Sequence, residues 1–368
     1  MTLMLNFSRR STHSIAFGAA ALLLAACSGA TQSQLTPSGN TTAPGMAGLP
    51  RTLAMRMASS SGISPAARSN HKASWMSRSA ARVRPLLYSS NALTNEVDVY
   101  AVNGKSNTLL GQLTGFNEPY GLCSDTSGNV YVTNLMGNNI LEYAHGGTSP
   151  IKTLSDSYGE PNGCAVSPKT GDLAVTNFEG GPSGQGSLVV YAGGSGSGTL
   201  YSVGSNSLVW APVYDSRGAL FFETQDQSSR AVTVFKLPHG KPALETISMP
   251  SGVTIYSPSG ATWDGKYLGV TDEDYENGLD EGLYRVSIHG TTATLVSQIE
   301  YTDSCYYSFS LVVQPIIWKG YLIGGNFFCY YNSTYHLDYW NYLMGGNPVK
   351  YIDGSPTSDT SYGQTISR

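Results

Sequence analysis

The chain has little charge: only 12% of its 368 residues are Asp, Glu, Lys or Arg, about half the ordinary share. That scarcity weighs against long solvated helices. Acidic residues are absent from the whole N-terminal quarter, the first being Glu96. Cysteine is sparse, with five in the chain, too few for a small disulfide scaffold. Beyond the N-terminus no apolar run reaches the roughly 18 residues that span a bilayer as a helix. No nucleophile paired with a base can be recognised, and the histidines do not cluster. His145, His239 and His289 each precede a glycine at the same point of a repeated pattern, so rotational symmetry spreads them around a rim. They are then too far apart to share one ion, whose bonds to nitrogen are about 2 Å.

What the chain does have is repetition. Six short runs align as Pro85–Asn91, Gly128–Asn134, Gly171–Asn177, Gly218–Thr224, Gly265–Thr271 and Gly320–Asn326, with last residues 43, 43, 47, 47 and 55 positions apart. A turn and strand precede several of them, as in Pro119-Tyr120-Gly121, Pro161-Asn162-Gly163 and Pro258-Ser259-Gly260. A third run ends in Tyr100, Tyr143, Tyr191, Phe235, Val286 or Trp340, then a glycine turn and a fourth run follow. Four short strands in each period of this length is the spacing of a β-propeller blade. The expected fold is all-β, a six-bladed propeller of four-stranded blades over residues 85–368. The first copy lacks an upstream strand, and Tyr362–Ser367 resembles Tyr120–Ser124. A C-terminal strand entering the first blade would close the ring and remove its open edge.

The P-x-G turn, small-residue strand, G-N-hydrophobic-Y-V strand and aromatic-ended third strand resemble the NHL type of six-bladed propeller. The match is clearest from Pro119 to Tyr143 and from Pro161 to Tyr191 and weakens in the tyrosine-rich last two blades. The resemblance implies either a binding scaffold or a metal-dependent lactonase, lyase or hydrolase, since one fold hosts many functions.

Arg9 and Arg10, an apolar stretch from about Ile15 to Ala26, and Leu24-Ala25-Ala26-Cys27 have the parts of an export signal. The last four residues resemble a bacterial lipoprotein lipobox. This implies a signal peptide over 1–26, cleavage before Cys27, acylation of Cys27 (palmitate included), and a lipid-anchored place in the bacterial cell envelope, on its periplasmic or extracellular side. Residues 27–84, rich in Ser and Ala and carrying seven basic side chains from Arg51 to Arg84 without an acid, are expected to be a flexible basic tether that favours anionic headgroups. From residue 85 onward 12 basic residues face all 25 acidic ones, near −13, which argues against a nucleic-acid partner.

With Cys27 acylated, four cysteines remain, for which three pairings exist. Cys123 and Cys164 lie one position out of step relative to Gly121 and Gly163, so opposite pleat faces are expected and their pairing is disfavoured. Cys305 and Cys329 share one blade; the alternatives are a bridge between them or four buried thiols.

The loops entering each first strand share a face with those joining second and third strands. That face collects Glu118, Glu160, Asn91, Asn134, Asn177, Asn326 and the acidic insertion opening at Asp272. No cofactor is required by the sequence, but these oxygens form a candidate channel-mouth donor set for Ca²⁺ or another divalent cation. Asn at a strand end also serves turns through its own backbone hydrogen bonds. Tyr330, Tyr331, Tyr335, His336, Tyr339 and Trp340 make the last blade's insertion the candidate ligand surface, because aromatic rings offer rigid contact area with a polar tip, though about half of them should pack between blades. The favoured function is a membrane-tethered envelope lipoprotein whose propeller binds a protein, peptide or glycan. The other is a metal-dependent hydrolase or lyase of the lactonase-like type using Glu118 and Glu160.

Overall fold

The structure is a computed structural model and describes residues 73–92, 94–103, 106–180, 184–272, 281–302, 314–325, 336–353 and 361–368. These residues form six antiparallel sheets arranged as the blades of a propeller. Blade 2 shows the plan, running outward from the axis as Pro119–Ser124, Val130–Asn134, Asn139–Tyr143 and Pro150–Ser155. Blade 3 repeats it with Pro161–Val166, Leu173–Asn177, Ser187–Tyr191 and Thr199–Ser202. In blade 4 the inner strand is split into Ser207–Val209 and Val213–Tyr214, both paired with Leu220–Asp226. Blade 5 is built on Pro258–Trp263 and Leu268–Asp272, and blade 6 on Ile316–Trp318 and Tyr321–Gly325.

Ser361–Ser367 is the innermost strand of blade 1, paired with Leu86–Asn91 from Leu86 opposite Ser367 to Asn91 opposite Ser361. The ring is thus closed by the two ends of the repeat region, as the sequence suggested. Blade 1 also gains an outer fifth strand, Trp75–Met76, which pairs with Gln112 and Gly111. Residues 73–84 therefore belong to the first blade, although composition places them in the tether: two pairing residues are too few to leave an alternating pattern.

Each turn from first to second strand needs a left-handed residue, supplied by Gly128, Gly171, Gly218, Gly265 and Gly320, all at positive φ, where glycine carries no steric penalty. In blades 2 and 4 an aspartate three residues earlier, Asp125 or Asp215, accepts the turn's backbone N–H groups. In blade 5 the accepting Asp264 stands directly before its glycine. Aligning the copies on glycine therefore misplaces blade 5 by one residue. Pairing of Pro258 with Asp272, matching Pro119 with Asn134 and Pro161 with Asn177, makes Asp272 and not Thr271 the strand-end residue.

The core lies between blades. One apolar cluster fills the seam between each consecutive pair: Leu86, Val99 and Val132 join blades 1 and 2; Ile140, Val175 and Val189 join 2 and 3; Leu188 and Phe222 join 3 and 4. Phe221 and Val270, Leu283 and Trp340, and Ile323 and Leu87 complete the circle. Because every blade has a neighbour on both faces, the second strands of blades 2 and 3 are buried along their whole length.

That front-to-back stacking also corrects the cysteine expectation. Cys123 and Cys164 form a disulfide with Cα atoms 5.6 Å apart. Their side chains do leave their strands on opposite pleat faces, but adjacent blades meet by opposite faces, so the offset that disfavours pairing within one sheet is what brings two sheets' side chains together. Cys27, Cys305 and Cys329 lie outside the described residues.

Candidate functional site at the loop face

Two rings of polar side chains cap the second strands. The inner ring consists of Ser90, Thr133, Thr176 and Thr271, whose hydroxyl groups donate to carbonyls of the inner-strand turns: Ser90 to Tyr120 and Gly363, Thr133 to Gly121, Thr176 to Gly163 and Thr271 to Gly260. Blade 4 has Glu223 at this place. Its carboxyl is fully buried and accepts the N–H groups of Gly260 (3.2 Å) and Thr271 (3.3 Å) in blade 5. Burial pushes its pKa up to about 8, against the pull of those two N–H groups and with the help of Asp272's negative charge. Sequence reasoning missed Glu223; the only available signal was a carboxylate where four other copies carry a hydroxyl and the last carries Gly325.

The second ring consists of the strand-end residues. Asn91 Oδ1 accepts the Thr94 N–H, Asn134 Oδ1 accepts the Asn117 N–H at 2.6 Å, and Asp272 accepts the N–H groups of Tyr256 and Ser257. Asn177 is fully buried and donates to the Ser187 hydroxyl. Asn134 and Asp272 staple the loops entering their own blades, before Pro119 and Pro258, whereas Asn91 holds the loop between second and third strands and Asn177 bonds to the third strand. Asn326 lies outside the described residues.

Glu118 and Glu160 lie near enough for one carboxylate's charge to act on the other. Each sits immediately before a Pro-x-Gly turn on a loop tied by the same bond, the Glu118 carbonyl accepting the Leu135 N–H and the Glu160 carbonyl accepting the Phe178 N–H, both 2.9 Å. Glu118 adopts φ 57° and its own N–H donates to Asn95 Oδ1 at 2.7 Å. Both side chains are half-buried. Burial, and then the neighbouring Glu160 charge, raise the Glu118 carboxyl above its ordinary pKa.

Beneath them the axis is closed. The glycines of the inner-strand turns approach so closely that a Cβ on Gly121 would stand 2.5 Å from Gln314 Oε1, 2.6 Å from the Asn162 carbonyl and 2.7 Å from the Gly163 Cα. Gln314, before the blade 6 inner strand, reaches across the axis: its Nε2 donates to the carbonyls of Leu122 and Cys164, both 2.9 Å, and its Oε1 accepts the Leu122 N–H at 3.1 Å. Its own N–H donates to Ser259, so one buried residue ties blades 2, 3 and 5. Tyr120 and Tyr362, stacked with centroids 4.3 Å apart and nearly inaccessible, pack beside this hub.

The aromatic surface expected in the last blade is only partly described, since Tyr330, Tyr331 and Tyr335 lie outside the described residues and His336 is placed only as the first residue of strand His336–Asn341, paired with Asp353. Tyr339 and Trp340 are corrected to packing residues, at 2% and 1% exposure. The Tyr339 hydroxyl accepts from Asn107 in blade 1, and the Trp340 indole donates to the Thr302 carbonyl beside blade 5. They are consecutive and so point to opposite faces, but both faces of the blade are covered. His145 is likewise engaged, reaching from its turn in blade 2 to blade 1, within 2.6 Å of the Ser367 hydroxyl and 2.9 Å of the Val83 carbonyl.

Of the donor set read from the sequence, Asn91, Asn134 and Asp272 accept loop amides, and Glu118 and Glu160 are half-buried carboxylates at the ends of neighbouring entry loops. Among the described residues no three His, Cys, Asp or Glu side chains are grouped for metal binding.

No protein-family model and no curated protein matches the chain. Solved structures do. A chain of a nidogen/laminin complex is 14% identical with a TM-score of 0.53, covering 77% of this chain and 98% of that one. A Bacteroides caccae protein of unknown function is 12% identical with a TM-score of 0.51, covering 77% and 99%. A gluconolactonase, XC5397 from Xanthomonas campestris, is 13% identical with a TM-score of 0.48, covering 79% and 90%. At such identities likeness is a matter of fold alone, and that fold is a closed ring of six antiparallel blades.

Proposed function

We propose that the chain is a bacterial envelope lipoprotein held by acylated Cys27, whose NHL-type propeller binds a protein, peptide or glycan on the loop face. The observation that carries the binding reading is the Glu118–Glu160 pair set above a hub that Gln314 closes. Two half-buried carboxylates on neighbouring loops suit a ligand that presents a cationic group. A ring of this fold occurs in a nidogen/laminin complex, which supports a protein as partner. The Cys123–Cys164 disulfide supports export, because disulfides persist in oxidising compartments.

The second reading, a metal-dependent hydrolase or lyase, draws on the same pair, one member of which is held toward its neutral form beside another carboxylate. Peptide, protein and glycan arrays probed with the full chain, together with metal analysis, separate the two. A ligand whose affinity falls at least about tenfold in Glu118→Gln/Glu160→Gln, the loss of a charge-assisted hydrogen bond, supports the binding module. Unchanged binding in that variant would remove the mouth from the site. A stoichiometric divalent ion lost on Glu118→Gln would move the assignment to the enzyme.

A further inference from the structure

The opposite face of the ring carries the opposite charge. Turns joining first to second strands and third to fourth strands all emerge there, and they hold Lys169, Arg217, Lys266 and Lys319, every one exposed. Arg84 and Arg368 are exposed on the same side, with the Arg84 guanidinium donating to the Arg368 carbonyl beside the Gly128 turn. The acids within these turns, Asp125, Asp172, Asp215 and Asp264, are half-buried or buried, and each accepts backbone N–H groups of its own or a neighbouring turn; of the acids beside them, Glu245 pairs with Lys236, and Glu300 is exposed where its carbonyl accepts the Gly346 N–H. The loop face reverses the pattern: among the described residues it presents Glu118, Glu160, Glu179 and Asp226 against Arg230.

Apolar and aromatic groups are interleaved with these cations. The blade 6 hairpin between its third and fourth strands exposes Leu343 at 59% and Met344 at 82%, held in a turn whose N–H groups bond to Asn341. Trp318 lies beside the Arg368 guanidinium (4.7 Å from ring centroid to charge) and the Lys319 ammonium (5.4 Å), and Tyr267 lies beneath Lys266 (4.8 Å). Cations attract anionic headgroups within a screening length, aromatic rings favour the interfacial zone, and aliphatic side chains gain by entering the acyl boundary. A free polyanion matches only the first of these three.

The geometry points to this turn face as a docking surface for an anionic lipid bilayer, with the Leu343–Met344 hairpin inserted at the headgroup level and the acidic loop face turned outward. It rests on the membrane-tethered reading for local concentration, and it makes the domain's orientation on the membrane specific.

Two methionines on opposite faces report the orientation: Met344, and Met136 at 47% exposure on the loop face. Hydroxyl-radical footprinting of the full chain, reconstituted with vesicles of phosphatidylglycerol and phosphatidylcholine or of phosphatidylcholine alone, reads both. Oxidation of Met344 should slow severalfold on the anionic vesicles only, return with added salt, and leave Met136 unchanged. Lys169→Gln/Arg217→Gln/Lys266→Gln should abolish that protection, lowering the face's partition by on the order of a hundredfold, about fivefold for each charge removed. Leu343→Ser, a surface change, should weaken it independently of any effect of the triple variant on folding. Equal protection of both methionines, protection of Met136 alone, or protection of Met344 by soluble DNA or heparin but not by vesicles would overturn the assignment. Vesicles that float the chain while Met344 stays reactive would retain the tether and reject the face; loss of flotation altogether would reject both.

Discussion

Glu223 is the residue at which this fold departs furthest from its own repeat. Where Ser90, Thr133, Thr176 and Thr271 supply hydroxyls, it places a fully buried carboxyl against two amides of the next blade. A carboxyl whose folded pKa stands above its unfolded value favours folding in its protonated form. Its contribution is complete below the unfolded range of about 4.3 and is lost as pH rises through the folded value, which here is about 8. Thermal unfolding should therefore show stability falling between those limits, and Glu223→Gln should flatten that slope while remaining folded. Glu223→Ala leaves two buried N–H groups without an acceptor and should cost about 1–3 kcal/mol at low pH. A slope unchanged in Glu223→Gln would assign the pH dependence elsewhere. In the sequence Glu223 is one acid among 25; only its enclosure by blades 4 and 5 makes it unusual.

At the scale of the element, the inner strands show what a repeat pattern conveys and what it omits. Pro119-Tyr120-Gly121 and its counterparts are visible as turns, and the structure gives their reason: ladder register shifts at these turns in blades 1, 2, 3 and 5, and the glycines meet around the axis. The chain pattern says nothing of which pleat face meets which, so the Cys123–Cys164 bridge was legible only once the blades were stacked. Cys123→Ser/Cys164→Ser should lower unfolding free energy by about 2–4 kcal/mol, and reductant should destabilise the unaltered protein to the same degree without affecting the variant. A melting temperature insensitive to reductant would show that the bridge contributes nothing. Tyr339 and Trp340 teach the same lesson, for an aromatic third strand reads equally as binding surface or as seam packing until its neighbours are known.

For the whole molecule the decisive contact is the closing strand. Ser361–Ser367 pairs with Leu86–Asn91, and a Cβ on Gly363 would run into the backbone of Gly121 and Leu122 in blade 2, so one strand completes blade 1 and the last two seams. Ending the chain before Ser361 exposes a fully buried strand edge, a template for association. Such a protein should lose cooperative unfolding and aggregate on size-exclusion chromatography, and a synthetic peptide of Ser361–Arg368 should restore the elution volume of the full chain. A truncated chain that melts like the parent would show that the ring does not depend on closure.

The sequence by itself determined the repeat, the strand count per blade, the closing segment and the glycine turns, because each is a local pattern of backbone preference and alternation written in consecutive residues. The tertiary structure alone decided the disulfide, the Glu223 enclosure, the Gln314 plug and the sorting of charge onto two faces. Those depend on which blade lies beside which and how its sheet is turned, and residues about 40 to 190 positions apart carry no mark of such meetings until stacking brings them within reach.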